Sequence, residues 1–466
     1  MLPDDVLLEI FDFCVVYQSF PEMVIKDRYA KRKAEPWRSL VHVCRRWRSL
    51  VFGSSCRLNL QLYCMTGTSA RKALDIWPAL PLLIHDYVTE TSVDNVVAVL
   101  EHSNRIRHFI IKCLTTSQTE NEKVWAAMQV PFPELTGLAL YSDSETAPFL
   151  PDSFLGGSAP RLRSLALHTI PFPGLPNLLL SAVHLVNLHL FNIPHSGYFS
   201  PEAMVTCLSV LTSLERLTLE FESPQSCPDQ ETRPRPPPTR SILPTLRSFW
   251  FKGPYEYLED LVAGIDAPRC HWFSTLFLNV IDFDTPQLIQ FISRTQTLET
   301  PNIVQVVFGN DSVWVNLQRR AFKRDFEEAE IEISCRVADR PLSLLAQICT
   351  SLPLLSTTES LYIYRHISSS DWKTDIENAE WLELLRPFTA VKDLYISMEF
   401  GPRIAPALQE LTGGRTTDVL PTVQNLFLEG FQPSRLDQEI EGIGQFISAR
   451  QLTNRPVAIS VWHTTY

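Results

Sequence analysis

Residues 162–167 read Leu-Arg-Ser-Leu-Ala-Leu, and residues 214–219 repeat the leucine spacing as Leu-Glu-Arg-Leu-Thr-Leu. Each stretch ends in an L-x-L core, and such alternation over a short run predicts a β-strand. The core returns at a nearly constant step, since Leu138 and Leu165 lie 27 residues apart and Leu165 and Leu188 lie 23 apart. A repeat of this length predicts a solenoid of stacked β–α units.

The cores extend over most of the chain. The clearest begin at Leu138, Leu165, Leu188, Leu217, Phe249, Leu276, Leu361, Leu394 and Leu426. Weaker cores are predicted near residues 58–60, 83, 109–111, 304–306, 331–333 and 457–459. They occupy the positions that the clear cores leave open in the same repeat spacing. Helix signals follow several cores. Ser200 before Pro201 predicts a helix to about residue 214, because serine caps a helix start and proline suits its first turn.

The N-terminal residues have a different pattern. Residues 2–11 (Leu-Pro-Asp-Asp-Val-Leu-Leu-Glu-Ile-Phe) and 37–48 (Trp-Arg-Ser-Leu-Val-His-Val-Cys-Arg-Arg-Trp-Arg) predict two short amphipathic helices. Val6, Leu7, Ile10, Phe11 and Cys14 are expected on one apolar face. Helices this short do not form a stable domain alone, so they need a partner surface in this chain or in another.

Composition excludes several classes of function. The net charge of −11 disfavours nucleic-acid binding, which needs clustered positive charge. No apolar run reaches the length of a membrane helix, and the acidic start predicts no secretory signal. These observations predict a cytoplasmic or nuclear location, or both, with neither a nucleic-acid nor a membrane partner.

The sequence contains no set of residues with the spacing of a catalytic or metal site. The ten cysteines form no C-x-x-C pair, so no metal site is expected. The chain also lacks a G-x-S-x-G elbow, a phosphate-binding G-x-x-x-x-G-K-[ST] loop and an H-E-x-x-H motif. We therefore predict that the chain is not an enzyme and has no cofactor.

The two N-terminal segments resemble the F-box, with a Leu-Pro start and a Val43-Cys44-Arg45-Arg46-Trp47 close. The resemblance implies docking onto the adaptor subunit of an SCF-type (cullin-based) ubiquitin ligase. The implied adaptor-binding residues are Leu2, Pro3, Leu7, Ile10, Phe11, Val43, Cys44 and Trp47. The link between the segments, residues 17–36, is longer than usual, and in this respect the chain resembles F-box-like proteins of mushroom-type fungi.

The repeats resemble leucine-rich repeats, with residues 162–167 and 214–219 as the best matches. Where that family places asparagine, this chain has Ile170, Ile193 and Phe431. Without an asparagine ladder, we expect an irregular horseshoe. The fold prediction is therefore α/β, with a helical F-box-like domain at 1–56 and a leucine-rich-repeat-like solenoid at 57–466, interrupted by a proline-rich insertion at 223–241.

The middle residue of each L-x-L core is predicted to point to the concave face, because side chains alternate along a strand. These residues make that face aromatic and predict a binding site for an unknown target protein. The predicted target-binding residues are Trp250, Phe277, Tyr362, Tyr364, Tyr395 and Phe427. Two alternatives remain: the aromatics stack on cross-strand neighbours, or a C-terminal segment covers them.

Two functions follow. In the first, the chain is a non-catalytic substrate receptor that holds the ligase adaptor through its N-terminal helices and a target through its repeats. In the second, the chain is an interaction scaffold whose F-box-like helices cap the solenoid and do not join a ligase. Exposure of Leu7, Phe11 and Trp47 favours the receptor, and burial of these residues against residues 57–110 favours the scaffold.

Overall fold

The computed structural model describes residues 2–14, 36–64, 70–88, 92–113, 118–142, 149–224, 239–278, 285–298, 301–309, 312–318, 330–336, 341–365, 377–411, 415, 417–429 and 441–462. The chain falls into two compact units, Met1–Leu185 (unit 1) and Val186–Tyr466 (unit 2). Most of the predicted link 17–36, most of the proline-rich insertion and Phe431 lie outside the described residues.

Unit 1 begins with three short helices, α1 (Asp4–Cys14), α2 (Pro36–Val43) and α3 (Arg45–Gly53). Two acidic residues in the first turn of α1 suit the positive end of its dipole. The α2–α3 break falls at Cys44, which has extended backbone and whose sulfur accepts a hydrogen bond from Trp47 N at 3.4 Å. The second predicted N-terminal helix is therefore two helices joined at a capping residue.

The rest of unit 1 is a parallel sheet whose strands follow chain order. Its strands are β1 (Leu62–Cys64), β2 (Leu82–Val88), β3 (Ile106–Cys113), β4 (Gly137–Ser142) and β5 (Ser164–His168). Its helices are α4 (Ala70–Ile76), α5 (Val93–Leu100), α6 (Gln118–Ala127) and α7 (Leu175–Ser181). The weak core predicted at residues 58–60 is wrong, because these residues form a turn and the first strand follows them.

Unit 2 contains the longer array of β–α units. Its strands are β6 (Asn187–Ile193), β7 (Arg216–Phe221), β8 (Ser241–Ile242), β9 (Ser248–Gly253), β10 (Ile265–Asp266), β11 (Trp272–Phe277), β12 (Ile303–Phe308), β13 (Ser312–Gln318), β14 (Glu330–Arg336), β15 (Ser360–Arg365), β16 (Asp393–Ile396), β17 (Asn425–Glu429) and β18 (Ala458–Trp462). Its helices are α8 (Pro201–Val210), α9 (Tyr255–Ala263), α10 (Pro286–Arg294), α11 (Pro341–Ser351), α12 (Asn378–Leu385), α13 (Gly401–Gln409) and α14 (Glu441–Leu452). The α/β class and the β–α alternation are confirmed, whereas the predicted horseshoe shape stays a prediction.

The strand order of unit 2 departs from chain order at one place. The order is β6-β7-β9-β11-β14-β13-β12-β15-β16-β17-β18, and β8 pairs with β10 in a separate small sheet. Strand β13 is antiparallel to both of its neighbours. The cores at 304–306 and 331–333 are strands, but their prediction as successive parallel repeats is wrong. The short link from β12 to β13 can close only a hairpin, because a parallel connection needs about a dozen residues.

Hydrogen bonds between successive β–α repeats satisfy backbone groups of some loops. Ile170 and Ile193 are buried apolar residues. Threonine hydroxyls donate to carbonyl oxygens of the preceding repeat, as from Thr245 Oγ1 to Leu214 O at 2.9 Å. Thr422 repeats this bond to Val391 O at 2.9 Å. Backbone carbonyl groups in the loops before β7 and β16 thus have side-chain partners from the next repeat.

One face of the unit 2 sheet forms its core with the helices. Phe249 and Phe251 of β9 are buried on this face, and the in-register Phe273 of β11 packs beside them. The Phe273 ring centroid lies 5.5 Å from that of Phe249 and 5.6 Å from that of Phe291 on α10. Strand aromatics and helix aromatics thus interlock in one layer, and the opposite face of the sheet presents the alternate residues.

Candidate functional site

Helix α1 has two apolar stripes on different sides. Leu7 and Phe11, one turn apart, are buried, and Phe11 is 0 % exposed. The Phe11 ring meets the half-buried Trp47 of α3 edge-on, with centroids 4.8 Å apart. This inner stripe is the one that holds the N-terminal helices together.

The outer stripe of α1 is exposed. It consists of Val6, Ile10 and Phe13 of the helix together with Leu2, which lies just before its first residue, and Phe13 is 84 % exposed. The spacing of four and three residues places Val6, Ile10 and Phe13 along one side of the helix. Val43, at the end of α2, is a further exposed apolar residue of the same helical element. A helix that is apolar on both sides is typical of an element buried on both sides, so the outer stripe indicates a partner surface.

Ion pairs hold α1 against the helices and the segment that follow it. Arg46 Nη2 donates to Asp4 Oδ1 at 2.5 Å and to Leu2 O at 2.6 Å. Arg57 pairs with Glu9 one turn further along α1. These side chains are largely exposed, so each pair contributes little to stability on its own. Their effect is to orient α1, which keeps its outer stripe away from the other two helices.

The same helical element is also attached to the first repeats. Trp37 Nε1 donates to Gln61 O at 3.1 Å, and the Trp37 and Trp77 rings meet edge-on at 5.2 Å. Phe52 of α3 also packs edge-on against Trp77, at 6.4 Å. One side of the element therefore packs on the first repeats, while the outer stripe of α1 stays exposed.

The predicted adaptor-binding residues divide between these two sides. Leu2, Pro3, Ile10, Val43 and Cys44 are exposed. The prediction that Leu7 and Phe11 contact the adaptor directly is wrong, because the helices bury them against one another. Val6 and Phe13 were not among the predicted contacts. The single apolar face expected for Val6, Ile10, Leu7 and Phe11 is also wrong, because Val6 and Ile10 are exposed whereas Leu7 and Phe11 are buried.

In unit 2, the face opposite the core carries aromatic residues, of which Tyr362, Tyr395 and Phe427 pair in register. We call it the aromatic face and define it by Trp250, Trp272, Tyr362, Tyr395 and Phe427. Trp250 is half-buried, and its ring stacks on Trp272 with centroids 6.1 Å apart and planes within 13°. The predicted position of Trp250 opposite the buried Phe249 and Phe251 is confirmed.

Phe277 does not belong to the aromatic face. It is 0 % exposed, pairs in register with Gly253, and lies near Phe251 in the core, with ring centroids 6.5 Å apart. The strand runs Trp272–Phe277, so Phe273, Thr275 and Phe277 share the inner phase. The prediction failed because Leu276-Phe277-Leu278 was read as an L-x-L core, whereas the strand is out of phase with that triplet by one residue.

The C-terminal part of the aromatic face is a stack of rings. Tyr362 lies 4.1 Å from Tyr395, and Tyr395 lies 4.3 Å from Phe427, with planes within 4° and 7° respectively. Trp462 meets Tyr362 and Tyr395 edge-on, at 5.7 and 5.6 Å. Tyr362 is consequently only 6 % exposed, so its prediction as an open target contact is wrong. Both alternatives apply here: the rings stack across strands, and a C-terminal residue covers one of them.

Half-buried groups remain on this face. Tyr395, Phe427 and Tyr364 are half-buried, and the Tyr364 hydroxyl donates to Gln305 Oε1 at 3.0 Å. Burial, with a smaller contribution from neighbouring Tyr395, raises the pKa of Tyr362. Tyr362 therefore stays neutral at physiological pH, and the stack presents ring edges and hydroxyls rather than charge.

The other end of the aromatic face is polar. His189 Nδ1 lies 2.9 Å from Thr218 Oγ1, and Lys252 pairs with Glu220 on the neighbouring strand. Burial, with a smaller contribution from the charge of Arg216, lowers the pKa of His189 to about 4. His189 is therefore neutral at pH 7 and serves as a hydrogen-bonding group of this face, not as a cation.

Acidification should destabilise unit 2 through His189. The folded pKa of about 4 lies below the ordinary value of 6.5, so the unfolded chain binds more protons between these values. The contribution of neutral His189 to the free energy of unfolding is fully present above pH 6.5. It is lost as the pH drops toward 4, and the loss is at most about 3 kcal/mol. Urea unfolding followed by circular dichroism at several pH values measures this slope.

His189→Gln should flatten the slope of stability against pH, because the variant side chain does not titrate. His195→Gln, at an exposed position in the same unit, is the matched control and should keep the wild-type slope. An unchanged slope in His189→Gln would show that other groups cause the pH dependence.

The described part of the chain contains neither a group of metal ligands nor a helix able to cross a membrane. Among its residues, no group of three or more His, Cys, Asp or Glu side chains could hold a metal ion. No helix within the described ranges combines the length and apolar character that crossing a bilayer requires. The candidate surfaces described above are the outer stripe of α1 and the aromatic face of unit 2.

Comparison with known proteins gives no family assignment. No protein-family model matches the chain, and no curated protein matches it. A solved structure to which it is similar is the leucine-rich repeat-containing protein LegL7 from Legionella pneumophila, at 10 % identity and a TM-score of 0.27. The similarity covers 83 % of this chain and 97 % of that protein. The fold assignment therefore rests on the strand order and register described above.

Proposed function

We propose that the chain is a non-catalytic substrate receptor of an SCF-type ubiquitin ligase. The N-terminal helices dock onto the adaptor, and the repeats hold a target protein. The receptor then acts by proximity, since it places a target lysine near a ubiquitin-charged enzyme of the complex. The proposal combines the F-box resemblance of residues 2–11 and 37–48 with the exposed apolar surface of the helices they form.

The observation that carries the proposal is the outer stripe of α1. Its aliphatic and aromatic side chains stay exposed although the inner stripe satisfies the packing of α2 and α3. An exposed apolar stripe on a short, ion-paired helix fits an apolar groove on a partner. Because Leu7 and Phe11 lie inside, their role in this proposal is to position the stripe.

For the target, the proposal assigns the half-buried part of the aromatic face, which includes Trp250, Trp272, Tyr395 and Phe427. Aromatic residues are enriched in the cores of protein interfaces, where large rigid rings contribute contact area at low entropic cost. Tyr364 lies beside the stack with its hydroxyl already bonded to Gln305. Phe277 and Tyr362 are not part of the proposed target site.

Ile10→Glu tests the adaptor contact. Binding of the purified full chain to the purified adaptor should weaken by about 30- to 100-fold, because a carboxylate replaces an apolar contact in a desolvated interface. Titration calorimetry or biolayer interferometry measures the change. The wild-type Ile10 side chain is 41 % exposed, so the variant should keep the wild-type thermal unfolding profile.

Ile76→Glu is the matched control, since it places the same charge at another exposed isoleucine of unit 1. It should bind the adaptor like the wild type. The receptor proposal is overturned if the wild-type chain does not bind the adaptor, or if both variants bind as tightly as the wild type.

The alternative function, an interaction scaffold, is favoured by a separate observation. The Trp37–Gln61 hydrogen bond and the Trp37–Trp77 contact make the helices a cap on the first repeats. Terminal units of a solenoid need such a cap. Under this alternative, the wild-type chain shows no adaptor binding and the outer stripe of α1 serves another partner.

A further inference from the structure

Strand β18 ends the unit 2 sheet with one edge unpaired in the described ranges, because it bonds to β17 alone. An unpaired edge presents free backbone N–H and C=O groups to any strand that approaches it. Natural sheets protect such edges with lysine, proline or a bulge inside the strand. Residues 458–462 read Ala-Ile-Ser-Val-Trp and contain none of these protective residues.

The side chains at this end are apolar and exposed. Ile459 and Val461 pair in register with the buried Leu426 and Leu428, yet each remains exposed, and no further strand of the described residues pairs with β18. Leu452, at the end of α14, is 89 % exposed. These exposed side chains leave the described end of unit 2 partly apolar.

The neighbouring helix continues the same surface without charge. Between Glu441 and Arg450, helix α14 contains no charged residue. Gly444 has open space beside its backbone, and Ser448, one turn on, is exposed. Arg450 is buried and donates from Nη2 to Pro421 O at 3.1 Å and Val423 O at 3.2 Å. The Arg450 guanidinium is therefore bonded inside the fold and adds no exposed charge to this surface.

We propose that this end of unit 2 binds a second copy of the chain through antiparallel pairing of β18 with its counterpart. A two-fold axis perpendicular to the sheet continues the sheet across the two strands and sets the two α14 helices antiparallel. The exposed charges from 441 to 462 are Glu441 before this surface and Arg455 after it. Antiparallel packing brings each glutamate toward the partner's arginine end, and the uncharged middle meets itself without repulsion.

The proposal also predicts a register. When residues 458–462 pair fully with their own copy, the central Ser460 lies on the two-fold axis opposite itself. Opposed Cα atoms in an antiparallel pair are about 4.5–5.5 Å apart, which a disulfide can span. Ala458 instead faces Trp462 of the copy, too far from its own counterpart for a disulfide.

Sedimentation velocity of the full chain over a concentration series tests the dimer. The wild type should show a reversible monomer–dimer equilibrium. Val461→Lys should weaken it by about tenfold or more, because the two introduced lysines then lie close to each other near the axis. Ile242→Lys, at an exposed isoleucine elsewhere in unit 2, is the matched control and should dimerise like the wild type.

Oxidative cross-linking tests the register. Ser460→Cys should form a disulfide-linked dimer on a non-reducing gel above the wild-type background, and Ala458→Cys should not. A wild type that stays monomeric at every concentration overturns the proposal. A dimer that is insensitive to Val461→Lys, or that cross-links equally through both cysteine variants, also overturns it, since association then uses another surface. None of these readouts depends on adaptor binding.

Discussion

Phe273→Ala should lower the free energy of unfolding of unit 2 by about 3–5 kcal/mol. Phe273 is fully buried, and its ring packs between Phe249 of β9 and Phe291 of α10. Removing the ring leaves a cavity where strand and helix aromatics interlock, and the rigid sheet cannot collapse into it. Urea unfolding of the full chain followed by far-ultraviolet circular dichroism gives the change in midpoint.

Phe273→Leu separates cavity formation from loss of aromatic contacts. Leucine keeps most of the volume and should cost about 1 kcal/mol, since swaps that retain volume are tolerated best. If alanine cost no more than leucine, Phe273 would not be held between the strand and helix layers as described. The strand register in this part of unit 2 would then need revision.

Glu259→Ala should cost about 2–3 kcal/mol of unit 2 stability, the second-largest effect we expect. Glu259 of α9 is buried, and its carboxylate accepts hydrogen bonds from Leu288 N at 2.7 Å and Gln287 N at 2.9 Å. These amides belong to the first turn of α10, whose N–H groups have no partner within the helix. Alanine leaves them unsatisfied in a buried place and removes a negative charge from the positive helix end.

Glu259→Gln and Glu256→Ala make this prediction specific. Glutamine keeps one carbonyl acceptor for an α10 amide but loses the charge, so it should fall between wild type and alanine. Glu256 lies one turn earlier on α9 and is half-buried. Glu256→Ala should therefore lower the free energy of unfolding by well under 1 kcal/mol. Equal losses for alanine at 256 and at 259 would contradict the capping role of Glu259. Urea midpoints measured alongside the Phe273 variants provide the comparison.

Much of the local fold was predictable because it depends on neighbouring residues. The strand cores at Leu165, Leu188 and Leu217 were predicted from period-two alternation, and the structure has strands there. Ser200 was predicted as a helix cap, and its hydroxyl accepts from Ala203 N at 3.3 Å. Both signals act within a few residues, so no information from the rest of the chain was needed.

The candidate surfaces were predictable only in part. Trp250, Tyr364, Tyr395 and Phe427 lie where alternation placed them, but Phe277 does not. A run such as Leu276-Phe277-Leu278 fits either phase of a strand, and a shift of one residue exchanges the two faces. On α1, the sequence predicted one apolar face that included Leu7, Ile10 and Phe11. In the structure Leu7 and Phe11 are buried, with the Phe11 ring against Trp47, and Ile10 and Phe13 are exposed.

The sequence by itself determined that this chain is built from β–α repeats preceded by short amphipathic helices, because alternation, spacing and capping are properties of adjacent residues. Tertiary structure alone decided the antiparallel position of β13, the cover that Trp462 places over Tyr362, and the exposed apolar end formed by β18 and α14. These features depend on which distant segments meet. Any strand of suitable pattern can occupy a sheet position, so only packing of the folded chain selects the neighbour.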